Sequence, residues 1–144
     1  MRRINRVFME AEAYAELNRL RKSGLWGDAL AKVDVLLLSN PFAVQLYLLH
    51  AELIQLQDEN TGHTLEDAEA SLKRAFEIDP NNFDVLVDLM HFYDVICPNP
   101  SKAIEYATKV KSLARKALDE ANEILEDNVS NIKGQPNGAS DRVE

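Results

Sequence analysis

Residues Thr64–Phe83 read TLEDAEASLKRAFEIDPNNF, and this stretch decides the fold. Thr64-Leu65-Glu66-Asp67 has the form of a capping box, in which a hydroxyl and a carboxylate three residues apart satisfy each other's free backbone N–H groups. Ala68, Leu72 and Ala75 then fall on one side of a helix that runs to Ile78. Asp79-Pro80-Asn81-Asn82 is a stop, a turn and a new cap in four residues. The same phrase occurs earlier in the chain. Ala29-x-x-x-Val33 precedes Pro41 as Ala68-x-x-x-Leu72 precedes Pro80, with twelve residues from alanine to proline in both. A unit of roughly 35–40 residues, made of two helical patterns closed by Asn-Pro or Asp-Pro, is the mark of a helical-repeat protein.

Working outward, Val7 to Ser23 is a glycine-free and proline-free helical pattern with Val7, Tyr14, Leu17 and Leu20 as its apolar stripe. Lys22-Ser23-Gly24 ends it. Trp26 to Leu38 forms a second helix with Leu30, Val33, Leu36 and Leu37 inward, and Asn40-Pro41 offers a cap and a first-turn proline for a third. That third helix, Phe42 to Gln57, is apolar on more than one side, so it is enclosed by neighbours or exposes a sticky face. Asp58 to His63 is a polar loop. A fifth helix runs from Phe83 to about Ile96 and ends at Pro98-Asn99-Pro100. Ser101 to about Asp127 is one unbroken pattern with Ala103, Ala107, Val110, Leu113, Ala117, Ala121 and Leu125 at helical spacing. The expected fold is all-α: an α-solenoid of three antiparallel helix hairpins, six helices in all, with a long C-terminal capping helix. Residues 1–128 form the helical-repeat domain, and 129–144 are expected to be a flexible polar tail.

The composition fits a globular protein, at 46% hydrophobic and 28% charged residues over 144 positions. A formal charge of -8 argues against general nucleic-acid binding, which needs clustered Lys and Arg, and favours basic or neutral partners. A single cysteine, Cys97, excludes an internal disulfide and reads as a structural thiol. No apolar stretch reaches the ~18–20 residues of a membrane span. Met1-Arg2-Arg3 is followed by Asn5, Arg6 and Glu10 and not by an apolar run, so the expected location is cytoplasmic.

The residues resemble the tetratricopeptide repeat family. Its motif places an aromatic, a leucine and a small residue in a first helix, then Ala-x-x-x-aromatic and a closing proline in a second. The second unit carries the likeness best, with Tyr47-x-x-His50-Ala51-x-x-Ile54 followed by Ala68-x-x-x-Leu72-x-x-Ala75 and Pro80. The first unit matches through Gly24, Trp26, Ala29, Val33 and Pro41. The third offers Leu86-x-x-Leu89-Met90-x-x-Tyr93 and Ala103-x-x-x-Ala107 without a closing proline. Alanines at these positions let helix backbones approach closely while larger residues fill the space between.

Signals for chemistry are few. His50, His63 and His91 form no His-x-x-x-His pair, and one cysteine cannot build a Cys/His zinc set. His50 reads as a satisfied core histidine and His63 as a solvated one. Gly-rich phosphate loops and nucleophile elbows are missing from the sequence. The expectation is a non-enzymatic protein without cofactor or metal.

The family resemblance implies a concave surface lined by the first helix of each hairpin. Carried over, the lining is Tyr14, Asn18, Arg21 and Lys22, then Gln45, Leu48, Leu49, Glu52, Gln55 and Leu56, then Asp84, Val87, Asp88, His91, Asp94 and Val95. Spacing supports the last group independently, because Asp84, Asp88, His91 and Val95 lie on one side of a helix. Such a groove grades from basic through apolar to acidic and suits a peptide segment with apolar anchors and a basic end. The acidic third hairpin does not offer the Lys, Arg and Asn set with which some family members grip a C-terminal carboxylate.

The leading expectation is a small adaptor or chaperone that holds a segment of a partner protein, as three-repeat secretion chaperones do. An acidic inhibitor or immunity protein shielding a basic toxin is the alternative within binding. A structural subunit that homodimerises through the final helix is the third. In that helix Lys109, Lys111, Arg115 and Lys116 precede Asp119, Glu120, Glu123, Glu126 and Asp127.

Overall fold

Basic residues followed by glycine end the first helix in the expected way. Gly24 has φ +69°, a left-handed conformation that costs glycine nothing, and the Leu25 N–H wraps back to the Leu20 carbonyl at 3.0 Å. The structure, a computed structural model, describes residues 2–57 and 62–135, with side chains from residue 10 onward. The described residues form six helices and no strand. They are α1 (Arg2–Lys22), α2 (Trp26–Ser39), α3 (Val44–Leu56), α4 (Leu65–Ile78), α5 (Phe83–His91) and α6 (Pro100–Gly134).

Several caps are those the sequence names. The Thr64 N–H donates to Asp67 Oδ2 at 2.8 Å, completing the capping box of α4. Asn82 accepts from the Val85 N–H and Asn99 from the Lys102 N–H, each at 3.2 Å, and Pro100 occupies the first turn of α6.

Three boundaries differ from the expectation. Asn40 does not open α3: its backbone and side-chain N–H groups both donate to the Leu36 carbonyl, so it closes α2. Pro41 and Phe42 form a turn, and α3 begins at Val44. The fifth helix does not run to Ile96 as an α-helix; Phe92–Ile96 is a π turn in which the Cys97 N–H reaches the Phe92 carbonyl at 2.8 Å. Helix α6 continues through Gly134, because nothing from Asn128 to Lys133 breaks it. The first residues assigned to the tail are therefore helical, and 136–144 lie outside the described residues.

Each helix packs on its neighbour in sequence, α1 on α2 and so on to α6. The contacts are made where side chains are smallest. Ala29, Ala68 and Ala75 are 0% exposed and Ala51 is 1% exposed, while Leu30, Val33, Leu46, Leu53, Leu72, Val85 and Leu86 fill the space around them. Ala29 and Ala68, twin positions of the repeated phrase, have the same enclosed surroundings. Ala103, the third of the set, is only half-buried, since among the described residues no further hairpin packs against α6.

Helix α6 closes the last hairpin with its first turns only. Ala103, Tyr106, Val110 and Leu113 meet the core, and from Ala114 onward every described residue is exposed. A polar cluster fastens the covered part: Tyr93 donates to Glu69 at 2.5 Å, Lys102 sits 4.7 Å over the Tyr93 ring, and Tyr93 stacks on Tyr106. The Lys73 ammonium, 2.8 Å from Glu69, and the Tyr93 hydroxyl together hold the Glu69 carboxyl down to about 2.

If helix approach at the alanines limits the packing, Ala68→Leu should cost about 1–3 kcal/mol through overpacking, whereas Ala117→Leu on exposed α6 should stay within about 0.5 kcal/mol. Urea denaturation of the two variants measures both. Equal midpoints would show that Ala68 is not a tight contact.

Candidate functional site

The side of α3 that faces away from α2 and α4 meets α1 and α5 across two adjoining depressions of about 420 Å³ each. Leu48, Glu52 and Asp88 border both, so the two form one groove. Helical periodicity is what gathers the lining: α1 supplies Tyr14, Asn18 and Arg21, α3 supplies Gln45, Leu48, Leu49, Glu52, Gln55 and Leu56, and α5 with its π turn supplies Asp84, Asp88, His91 and Val95. Lys22, Val87 and Asp94 do not border it. Val87 and Asp94 lie seven residues apart on one flank of their helix, at the edge of the row Asp84, Asp88, His91.

The floor was not foreseen. Leu17, Leu46, Ala51, Leu72 and Phe92 lie beneath the polar rim, and Ile96 joins at one end. Phe92 lies one helical turn after Asp88, and Ile96 reaches the groove because the π turn adds a residue and rotates those after it. Composition carries no signal for such a shift.

The charge gradient is also altered by the fold. Arg21 spans the groove to Glu52 at 3.3 Å, so the basic end is already occupied by an ion pair. Asp84 and Asp88 carry the remaining charge. Burial pushes the Asp88 carboxyl above the usual carboxylate range, and the like charges of Asp84 and Glu52 push it further.

On the opposite side of α3 lies a second cluster, which sequence reasoning missed. His50 is buried, and its Nδ1 lies 2.6 Å from Ser71 Oγ on α4. Its Nε2 lies 2.9 Å from Asp34 Oδ1 on α2, and His63 Nε2 lies 3.1 Å from Asp34 Oδ2. His50 is thus the satisfied core histidine that was expected. His63 is not a solvated loop residue: its side chain is 24% exposed and packs edge-on against the His50 ring. Partners 16 and 29 positions from Asp34 leave no local spacing to read. A serine, a histidine and an aspartate in a row resemble a hydrolytic relay, but Ser71 is enclosed between helices, where its hydroxyl cannot meet a substrate.

Neutralising Asp88 should stabilise the protein. A carboxyl raised in the folded state binds more protons than in the unfolded one, so its contribution to stability falls as pH rises past its ordinary value of 3.8. Asp88→Asn should melt above the parent at neutral pH, with the gap closing as the pH drops below about 4. Thermal melts followed by circular dichroism test this, and a lower midpoint at neutral pH would contradict it. No family model, curated protein or solved structure matches the chain.

Proposed function

We propose that the chain is a non-enzymatic, tetratricopeptide-like interaction module in which stacked hairpins hold a peptide segment of a partner protein. The observation that carries this reading is the groove, where an apolar floor is rimmed by carboxylates that have no equal number of cations beside them. Asp88 sits there at a cost in stability, and a cation brought by a partner would remove that cost. Leu56 and Val95, both exposed at the rim, would take apolar anchors. The segment expected is therefore basic with leucine-sized anchors, as an export substrate held by a chaperone or an adaptor's target would present.

A peptide array that varies basic, neutral and acidic sequences around leucine anchors tests the reading directly. Basic apolar peptides should be retained, and binding should weaken as salt rises. Asp84→Lys with Asp88→Lys, or Leu56→Ser with Val95→Ser, should weaken it at least about tenfold, or ~1.4 kcal/mol. Equal retention of acidic peptides, or indifference to both pairs of substitutions, would refute it.

A second reading is favoured by α6. Leu118, Leu125 and Ile132 recur every seven residues, with Ala114 before the first and Ala121 between the first two, and the three large residues are 60–73% exposed. Such a seam fits a second helix, large residue against small, and two copies running antiparallel would set the basic stretch of one beside the acidic stretch of the other. Charging Val110 or Leu113 would not test dimerisation, since both pack on the protein's own core. Leu118→Asp and Leu125→Asp would. Sedimentation equilibrium should give twice the monomer mass for the parent and the monomer mass for either variant; a monomeric parent rules the reading out.

A further inference from the structure

We propose that Asp34, His50 and His63 form a binding site for one divalent transition-metal ion of the zinc class, on the side of α3 away from the groove. Their donor atoms, one carboxylate oxygen and two imidazole nitrogens, all lie within 4.8 Å of one another. The donor set is the first argument. Two imidazoles and a carboxylate suit Zn²⁺ and its first-row neighbours, whereas Mg²⁺ and Ca²⁺ prefer oxygen alone.

Distance is the second argument. A tetrahedral site with bonds of ~2.0–2.1 Å sets its donors about 3.3 Å apart. His50 Nε2 stands 2.9 Å from one oxygen of the Asp34 carboxylate and His63 Nε2 stands 3.1 Å from the other, so each imidazole is already near that edge length from one oxygen of the same group. An ion would draw the imidazole nitrogens together, a movement open to the partly exposed Asp34 and His63 side chains.

The supporting shell is the third. A ligating imidazole must offer a lone pair on one nitrogen, and a hydrogen bond from the other fixes that tautomer. Ser71 stands 2.6 Å from His50 Nδ1, and a hydroxyl can either donate or accept. In the metal-free protein the Nε2–H of His50 donates to Asp34 and Ser71 donates to Nδ1. With an ion bound, the proton sits on Nδ1 and that N–H donates a hydrogen bond to Ser71 Oγ, which frees the Nε2 lone pair without net proton release from His50.

Location supplies the consequence. Asp34 lies on α2, His50 on α3 and His63 just before α4, so one ion would cross-link three successive elements of the stack. Binding to the folded chain alone raises its melting midpoint by mass action.

The test is calorimetric titration of the full chain with Zn²⁺ at neutral pH, with Mg²⁺ as the hard-ion control. One equivalent of Zn²⁺ should bind, the midpoint should rise, and Mg²⁺ should do neither. His63→Gln should weaken Zn²⁺ binding at least tenfold and His91→Gln should not. Proton NMR of the imidazole Cε1–H signals needs no variant: on adding Zn²⁺, the His50 and His63 signals should shift and that of His91 should stay. Absence of saturable Zn²⁺ uptake, undiminished binding by His63→Gln, or a shift confined to His91 would overturn the site.

Discussion

The structure depends on how closely helix backbones approach at Ala29, Ala51, Ala68 and Ala75. With no atom beyond Cβ, these residues let one helix lie in the groove of the next, and the leucines and valines around them close the remaining space. The energy gained is spread along the chain, because each helix packs on its sequence neighbours. Such a fold has little long-range contact to stabilise it and must satisfy itself locally. Local satisfaction explains why so many helix ends here carry a dedicated cap, from Gly24 after α1 to Asn99 before α6.

Stacking in one direction leaves surfaces that internal packing does not use. One is the groove where α1, α3 and α5 line up, with Asp88 beside the like charges of Asp84 and Glu52. Another is the outer part of α6, which continues long after the last hairpin has been covered at Leu113. Neither is explained by folding. A burdened carboxylate lowers stability, and exposed leucines lower solubility, so both features break local consistency where a partner would restore it.

The features legible in the sequence are the local ones. The alanine interval, the Thr64–Asp67 capping box and the turn at Asp79–Asn82 each lie within a few residues, and they place the helices and most of the groove lining. The misreadings have equally local causes. Asn40 can serve either the helix before it or the helix after it, and only geometry shows that it bonds Leu36. The π turn at Phe92 leaves no trace in composition, yet it brings Ile96 to the end of the groove. Helical spacing in α6 is the same whether a partner covers it or not, so the sequence could not say where the cap ends. Asp34, His50 and His63 come together only after three elements have stacked.

Helix α3 explains why two candidate sites occupy opposite sides of one element. Its apolar character on more than one side calls for enclosure, and α2 and α4 supply it. On the enclosed side a polar residue survives only with full hydrogen bonding, and His50 has it from Asp34 and Ser71; among the described residues no buried side-chain polar atom lacks a partner. On the other side Leu48 is buried in the groove wall, Leu49 is half-buried and Leu56 is left exposed at the rim. Anything that fixes α3 against α2 and α4 therefore also fixes the wall that a partner would meet. Order on the enclosed side is the condition for a preformed groove on the open one.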